Sequence, residues 1–137
     1  MTQLTVTATI NAPLANVWEK WTTPADIMQW NFASDDRECP AAENNLVIAG
    51  TFKARMAAKD GSAAFDFEGI YTDIIENSLI AYKLEDDRKV SITFAENNGQ
   101  TVVTETFDPE NENPLEMQQA GRQAILDNFK KYVEATK

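Results

Sequence analysis

Between Leu46 and Phe107 the chain is a succession of short blocks in which apolar residues recur at every second position, separated by turn-forming residues. A period of two sends alternate side chains to opposite faces of a strand. Strands are accordingly predicted over Leu46–Ala57, Ala64–Ile75, Leu79–Leu84, Val90–Phe94 and Thr101–Phe107. Asp60-Gly61 and Asn98-Gly99 are strong hairpin signals, because their residues tolerate the positive φ that tight turns demand. Asn77-Ser78 and the acidic bend Glu85-Asp86-Asp87 divide the remaining blocks. Strands joined by connections this short must run antiparallel.

The flanks supply the rest of the architecture. Leu4–Ile10 alternates apolar residues with Thr and reads as a half-buried strand, ended by Asn11-Ala12-Pro13. Pro13 suits a first helical turn, and Val17, Trp18 and Trp21 then fall on one short helix. Thr23-Pro24 opens a second short helix to Trp30, with Thr23 as N-cap. Phe32–Glu38 is read as a further strand. After the connector Pro109–Pro114, Leu115–Ala135 forms a helix of about 30 Å. Its polar arc holds Glu116, Gln119, Gln123, Asp127 and Glu134, and its wide apolar arc Leu115, Met117, Gly121, Ile125, Leu126, Phe129 and Val133. Only a sheet is large enough to cover such an arc. The expected structure is α+β: a curved, twisted sheet of seven antiparallel strands around a long C-terminal helix, with two short helices after the first strand. Residues 1–137 are taken as one domain. A curved sheet fills its interior against one helix less completely than against a second sheet, so a cavity is expected beside the helix.

Charge and missing residue types exclude several functions. Twelve Lys and Arg against twenty-two Asp and Glu give −10, a field that repels nucleic acid and anionic membrane surfaces. No apolar stretch is long enough to span a membrane, and Met1-Thr2-Gln3-Leu4 has no leader character. Histidine is absent, which removes Ser-His-Asp and Cys-His catalysis and most zinc and non-haem iron sites. The single Cys39 cannot make an internal disulfide and lacks the positive surroundings of a reactive thiol. The chain is therefore expected to be cytoplasmic, without metal, cofactor or catalytic residues.

Several motifs resemble one family. Ile10-Asn11-Ala12-Pro13, Val17-Trp18, Trp21-Thr22 and Trp30 are followed by Cys39-Pro40-Ala41-Ala42-Glu43-Asn44 and Gly50-Thr51-Phe52. Lys59-Asp60-Gly61-Ser62, Phe65 to Tyr71, Arg88-Lys89-Val90 and Ala120 to Leu126 continue the series. In order and spacing these resemble the proteins homologous to the C-terminal domain of the activator of heat shock protein 90 ATPase. Those belong to the START-like, birch-pollen-allergen-like superfamily, and the resemblance implies its helix-grip fold. This chain departs from the family pattern at Arg122, where Trp is usual, and at Asn45–Gly50, where an acidic residue and a Gly pair are usual.

The fold so implied would bind a small hydrophobic or amphipathic molecule without altering it. Phe52, Met56, Phe67, Tyr82, Phe94, Met117, Gly121, Ile125 and Phe129 are the expected cavity lining, with Arg122, Glu105 and Asn128 as polar contacts. Glu105 shares parity with Val103 and Phe107; facing inward it would pair with Arg55, Arg122 or Tyr82 or have its pKa raised, and otherwise it is a surface carboxylate. Arg122 either points into the cavity mouth or snorkels to solvent. Gly121 implies close sheet contact or space for a ligand, while Asn128 and Gln118 are read as structural. Two alternatives stand beside ligand binding: a chaperone-interaction module of the stress response, and a cyclase- or hydrolase-like enzyme using Glu105 with Tyr82. Self-association as a homodimer is a further expected partner mode.

Overall fold

Asn98 and Gly99 take φ of 55° and 82°, the paired positive values of a two-residue hairpin that matches strand twist. They join β6 (Lys89–Asn97) to β7 (Gln100–Phe107), whose register runs from Asn97 opposite Gln100 to Val90 opposite Phe107. The same logic orders the rest. The computed structural model describes residues 3–136; Met1, Thr2 and Lys137, including the first two residues of the opening read above as leaderless, lie outside them.

β1 (Leu4–Ile10) is followed by α1 (Leu14–Thr22) and α2 (Pro24–Trp30). Then come β2 (Arg37–Asn44), β3 (Thr51–Ala58), β4 (Ala64–Ile75) and β5 (Leu79–Lys83), and α3 (Leu115–Thr136) closes the chain after β7. The strands form one curled antiparallel sheet in the order β1-β7-β6-β5-β4-β3-β2. Thr23 stands at the N-cap of α2 but makes no side-chain capping bond. Alternation sorts the faces as expected. Val6, Ala8, Ile10, Ile80, Val90, Ile92, Val103 and Phe107 are buried on the concave side, whereas Arg55 and its cross-strand neighbour Asp66 make an exposed ion pair at 3.1 Å.

Two strand assignments need correction. The strand expected at Phe32–Glu38 begins only at Arg37, and residues 34–36 bend and turn before it. Pro40, which reads as a breaker, sits inside β2. It is tolerated because β2 is an edge strand and its register with β3 slips between Glu38 and Ala41. The strand expected from Leu46 starts at Thr51. Residues 45–50 instead form a turn closed by Gly50 N–H donating to Val47 O, with Ala49 at φ 68°. Val47 and Ile48 are consequently exposed. Gly50 is required there, since a Cβ would stand 2.3 Å from the Asn45 carbonyl oxygen.

α3 packs on β1 and the two short helices. Its buried stripe is Leu126, Phe129 and Val133, so the apolar face is engaged through its C-terminal half. Gln119 and Gln123 donate through Nε2 to the backbone oxygens of Thr5 (2.9 Å) and Thr7 (3.0 Å), covering the outer edge of the sheet. No helix among the described residues is long and apolar enough to cross a membrane.

Candidate ligand cavity

Because α3 lies along the β1 end of the sheet, the concave face of β3, β4 and β5 has no long helix against it. A hollow of about 240 Å³ remains there. One wall is aromatic and comes from the sheet. Phe52 projects from β3, Phe67 and Tyr71 from β4, and Tyr82 from β5, with Phe52 edge-on to Tyr82 at 4.5 Å and tilted against Tyr71 at 5.5 Å. Facing them, Trp21 and Trp30 of the short helices stack at 4.8 Å. Ile125 and Leu126 of α3 complete the apolar enclosure, and Phe65, 58 % exposed, stands at the rim beside its cross-strand neighbour Met56.

The wall is held by hydrogen bonds that span distant segments. The Tyr71 hydroxyl donates to Asn44 Oδ1, and Asn44 Nδ2 donates to the Thr22 oxygen, tying β4, β2 and the end of α1 together. Trp30 Nε1 donates to the Lys20 oxygen at 3.0 Å. Burial pushes the Tyr71 phenol well above its usual range and pushes Tyr82 up to about 12.

Four charged residues line this mainly apolar space: Glu43 and Lys53, cross-strand neighbours on β2 and β3, and Glu105 with Arg122. Glu105 points inward from β7, opposite Val6 on one side and Ile92 on the other. Its Oε2 accepts from Arg122 Nη1 at 3.5 Å. The guanidinium does not snorkel: it lies against the rings of Phe107 at 4.6 Å and Phe67 at 5.3 Å. Burial pushes the Glu105 carboxyl up, and the Arg122 charge pulls it part of the way back. Arg55, weighed as a partner, is on the outer face with Asp66.

Of the expected lining, Phe52, Met56, Phe67, Tyr82, Ile125, Arg122 and Glu105 surround the cavity. Five residues do not. Met117 is 60 % exposed, because the first turns of α3 are not buried against the sheet. Phe94 and Phe129 are buried by aromatic packing: Phe94 lies against Trp18 and Trp21, and Phe129 against Trp21 and Trp30. Asn128 Nδ2 donates to the Trp30 oxygen at 2.8 Å, fastening α3 to α2. Gly121 lies outside the cavity, and a Cβ there would meet nothing within 4 Å, so neither sheet contact nor ligand space explains it. Gln118 ties the connector to α3 through Glu110 and Asn113. Trp21, Trp30, Tyr71 and Leu126 were not among the expected lining; the tryptophans serve as core and cavity wall at once. Cys39 is buried, and that burial raises its thiol pKa, which keeps it unreactive.

A curled antiparallel sheet gripping a long C-terminal helix, with an apolar hollow between them, defines a helix-grip protein of the START-like class. The family model described as activator of Hsp90 ATPase homolog 1-like protein matches residues 11–134, and the chain belongs to that family. Among solved structures, the AHSA1-like protein from Aeromonas hydrophila is 42% identical, with a TM-score of 0.91 over 98% of this chain and 93% of that one. A protein from Cytophaga hutchinsonii is 48% identical, with a TM-score of 0.84 over 97% and 92%. A Nitrosomonas europaea protein shares the fold at 14% identity, with a TM-score of 0.84 over 98% and 96%. Comparison with curated proteins found no match.

Proposed function

We propose that this protein binds a small hydrophobic or amphipathic molecule in the cavity between sheet and helix, without altering it. The supporting observation is the hollow of about 240 Å³ walled by Phe52, Phe67, Tyr71, Tyr82, Trp21 and Trp30. Apolar surface left facing water is unfavourable, at roughly 25 cal/mol per Å², and a bound apolar molecule would cover the aromatic wall. An engineered cavity of about 150 Å³ already accepts benzene, so the present one suits a molecule of one or two rings.

Glu105 and Tyr82, the pair that acid–base chemistry would recruit, both lie beside the Arg122 guanidinium. Glu105 faces Arg122, and Tyr82, with its phenol raised to about 12, keeps its proton throughout the physiological range. Binding without turnover accords with this. A cytoplasmic location fits the lone buried thiol of Cys39.

Native mass spectrometry of protein purified from its own cells tests the proposal. A retained small molecule that is released on denaturation is expected; protein that carries nothing and takes up no apolar probe would overturn it. The family description supports a second proposal, contact with an Hsp90-class chaperone. That one requires co-purification with the chaperone and an altered ATPase rate.

A further inference from the structure

We propose that the molecule bound in this cavity is an uncharged aromatic whose polar edge carries an adjacent hydrogen-bond acceptor and donor, as a carboxamide does, and that Arg122 and Glu105 read that edge. The inference rests on the cavity-binding proposal and adds the chemical class of ligand.

Three features of the pair carry it. First, Arg122 and Glu105 are not closed on each other. Their contact at 3.5 Å is the outer limit of a hydrogen bond, where charge-assisted pairs usually close to about 2.7–2.9 Å. A guanidinium has five N–H donors and a carboxylate two acceptor oxygens, yet this is the hydrogen bond the two groups share. Arg122 also engages the Tyr82 side chain beside it, and since Arg122 and Glu105 both line the cavity, the donors and the acceptor that these contacts do not take up are the ones a ligand there would meet.

Second, the guanidinium is fixed. The Phe67 and Phe107 rings both lie against it, and Glu105 is anchored on the interior strand β7 between Val6 and Ile92. The two groups therefore present a donor edge and an acceptor edge in a set orientation. Third, the charges cancel. A carboxylate ligand would gain Arg122 but face Glu105, inside a protein of net charge −10. An ammonium ligand would gain Glu105 and face Arg122. A neutral amide meets both without a like charge: its carbonyl accepts from Arg122 and its N–H donates to Glu105. Its ring then lies among Phe52, Tyr82 and Trp30.

Calorimetric titration with four probes of one shape decides the matter: naphthalene, 2-naphthamide, 2-naphthoate and 2-naphthylmethylammonium. Wild type should bind 2-naphthamide at least tenfold more tightly than the other three. In Glu105→Gln the Arg122 charge loses its counter-ion, and the preference should move toward 2-naphthoate by tenfold or more. Arg122→Gln should move it toward the ammonium, which supplies the mirror test if the first variant does not fold. Equal affinity for naphthalene and 2-naphthamide, or tightest wild-type binding of either charged probe, overturns the assignment while leaving the cavity proposal standing. Binding of none of the four overturns the cavity proposal itself.

Discussion

The ring of Phe52 lies against Gly69, its cross-strand neighbour, so closely that a Cβ at Gly69 would stand 2.5 Å from Phe52 Cε1. The same Cβ would come within 2.9 Å of Tyr82 Cδ2. Gly69 is thus the floor on which the aromatic wall rests, and both rings owe their depth to its missing side chain.

Gly69→Ala should therefore act on stability and cavity together. Phe52 and Tyr82 must move toward the hollow, at about 1–3 kcal/mol for an overpacked site. Denaturant unfolding should show the loss, and uptake of an apolar probe should fall with it. An Ala variant as stable as wild type would mean that the wall is softer than its contacts indicate.

The Arg122–Glu105 pair should be worth more broken than absent. Replacing Arg122 by Met leaves Glu105 buried without a counter-charge, a situation that costs about 3 kcal/mol when solvent cannot reach the site. The double variant Arg122→Met/Glu105→Met should recover wild-type stability or exceed it. The pH dependence has a defined sign. Burial raises the Glu105 pKa, so the folded chain holds that proton more tightly than the unfolded one. Its contribution is favourable below the unfolded Glu range and is lost as pH rises through the folded pKa. Without Arg122 this effect grows, so the gap between wild type and Arg122→Met should be narrower at pH 5 than at pH 7. A constant gap across that range would show that Glu105 is not the group left exposed to desolvation.

The phenols give an independent reading of the fold at high pH. Tyr71 and Tyr82 are raised by burial, and Tyr132 is raised to about 12 by its hydrogen bond to Asp26, which links α3 to α2. The unfolded chain ionises its tyrosines near 10. These groups therefore contribute stability that is fully present below pH 10 and declines above it. Ultraviolet titration should show no phenolate at pH 10 while circular dichroism remains native. Phenolate from more than one of the three tyrosines at pH 10 in folded protein would contradict the burial of the wall, since Tyr132 lies outside it.

Gln119 and Gln123 protect the β1 edge with side-chain amides. Replacing both by Ala removes the two hydrogen bonds to the β1 backbone, each worth about 0.5–1.5 kcal/mol, together with the Gln123–Asp127 bond within α3, and bares an edge strand. Lower thermal stability is expected, with concentration-dependent association seen by light scattering. A variant that stays monomeric and as stable as wild type would show that the edge needs no cover.

What the sequence revealed follows from which physics is local. Alternation over Ala64–Ile75 and the pairs Asp60-Gly61 and Asn98-Gly99 are properties of adjacent residues, and β4 and both turns fall where they indicate. The parity of Glu105 with Val103 and Phe107 left it between the interior and the surface, and the structure buries it. The strand start at Leu46 misled for a tertiary reason: the alternation of Leu46, Ile48 and Gly50 continues that of Phe52, yet the chain turns over residues 45–50 and leaves Val47 and Ile48 facing solvent. Met117 and Phe129 were misplaced because helix winding gives a face, not the extent of its cover, and Phe94 because strand parity points a ring inward without telling which rings pack over it. Which aromatic rings fill the core and which leave space was decided by Trp18, Trp21 and Trp30, whose positions depend on how α1 and α2 settle against the sheet.

The claim that the hollow accepts a small apolar molecule is tested most directly by amide chemical shifts recorded during titration with naphthalene. Saturable shifts are expected at Ala54, Phe67, Tyr82 and Ile125, around the cavity, with Val47, Ile48 and Met117 unmoved. Shifts confined to those three exposed residues, or none at all up to the solubility limit of the probe, would contradict it.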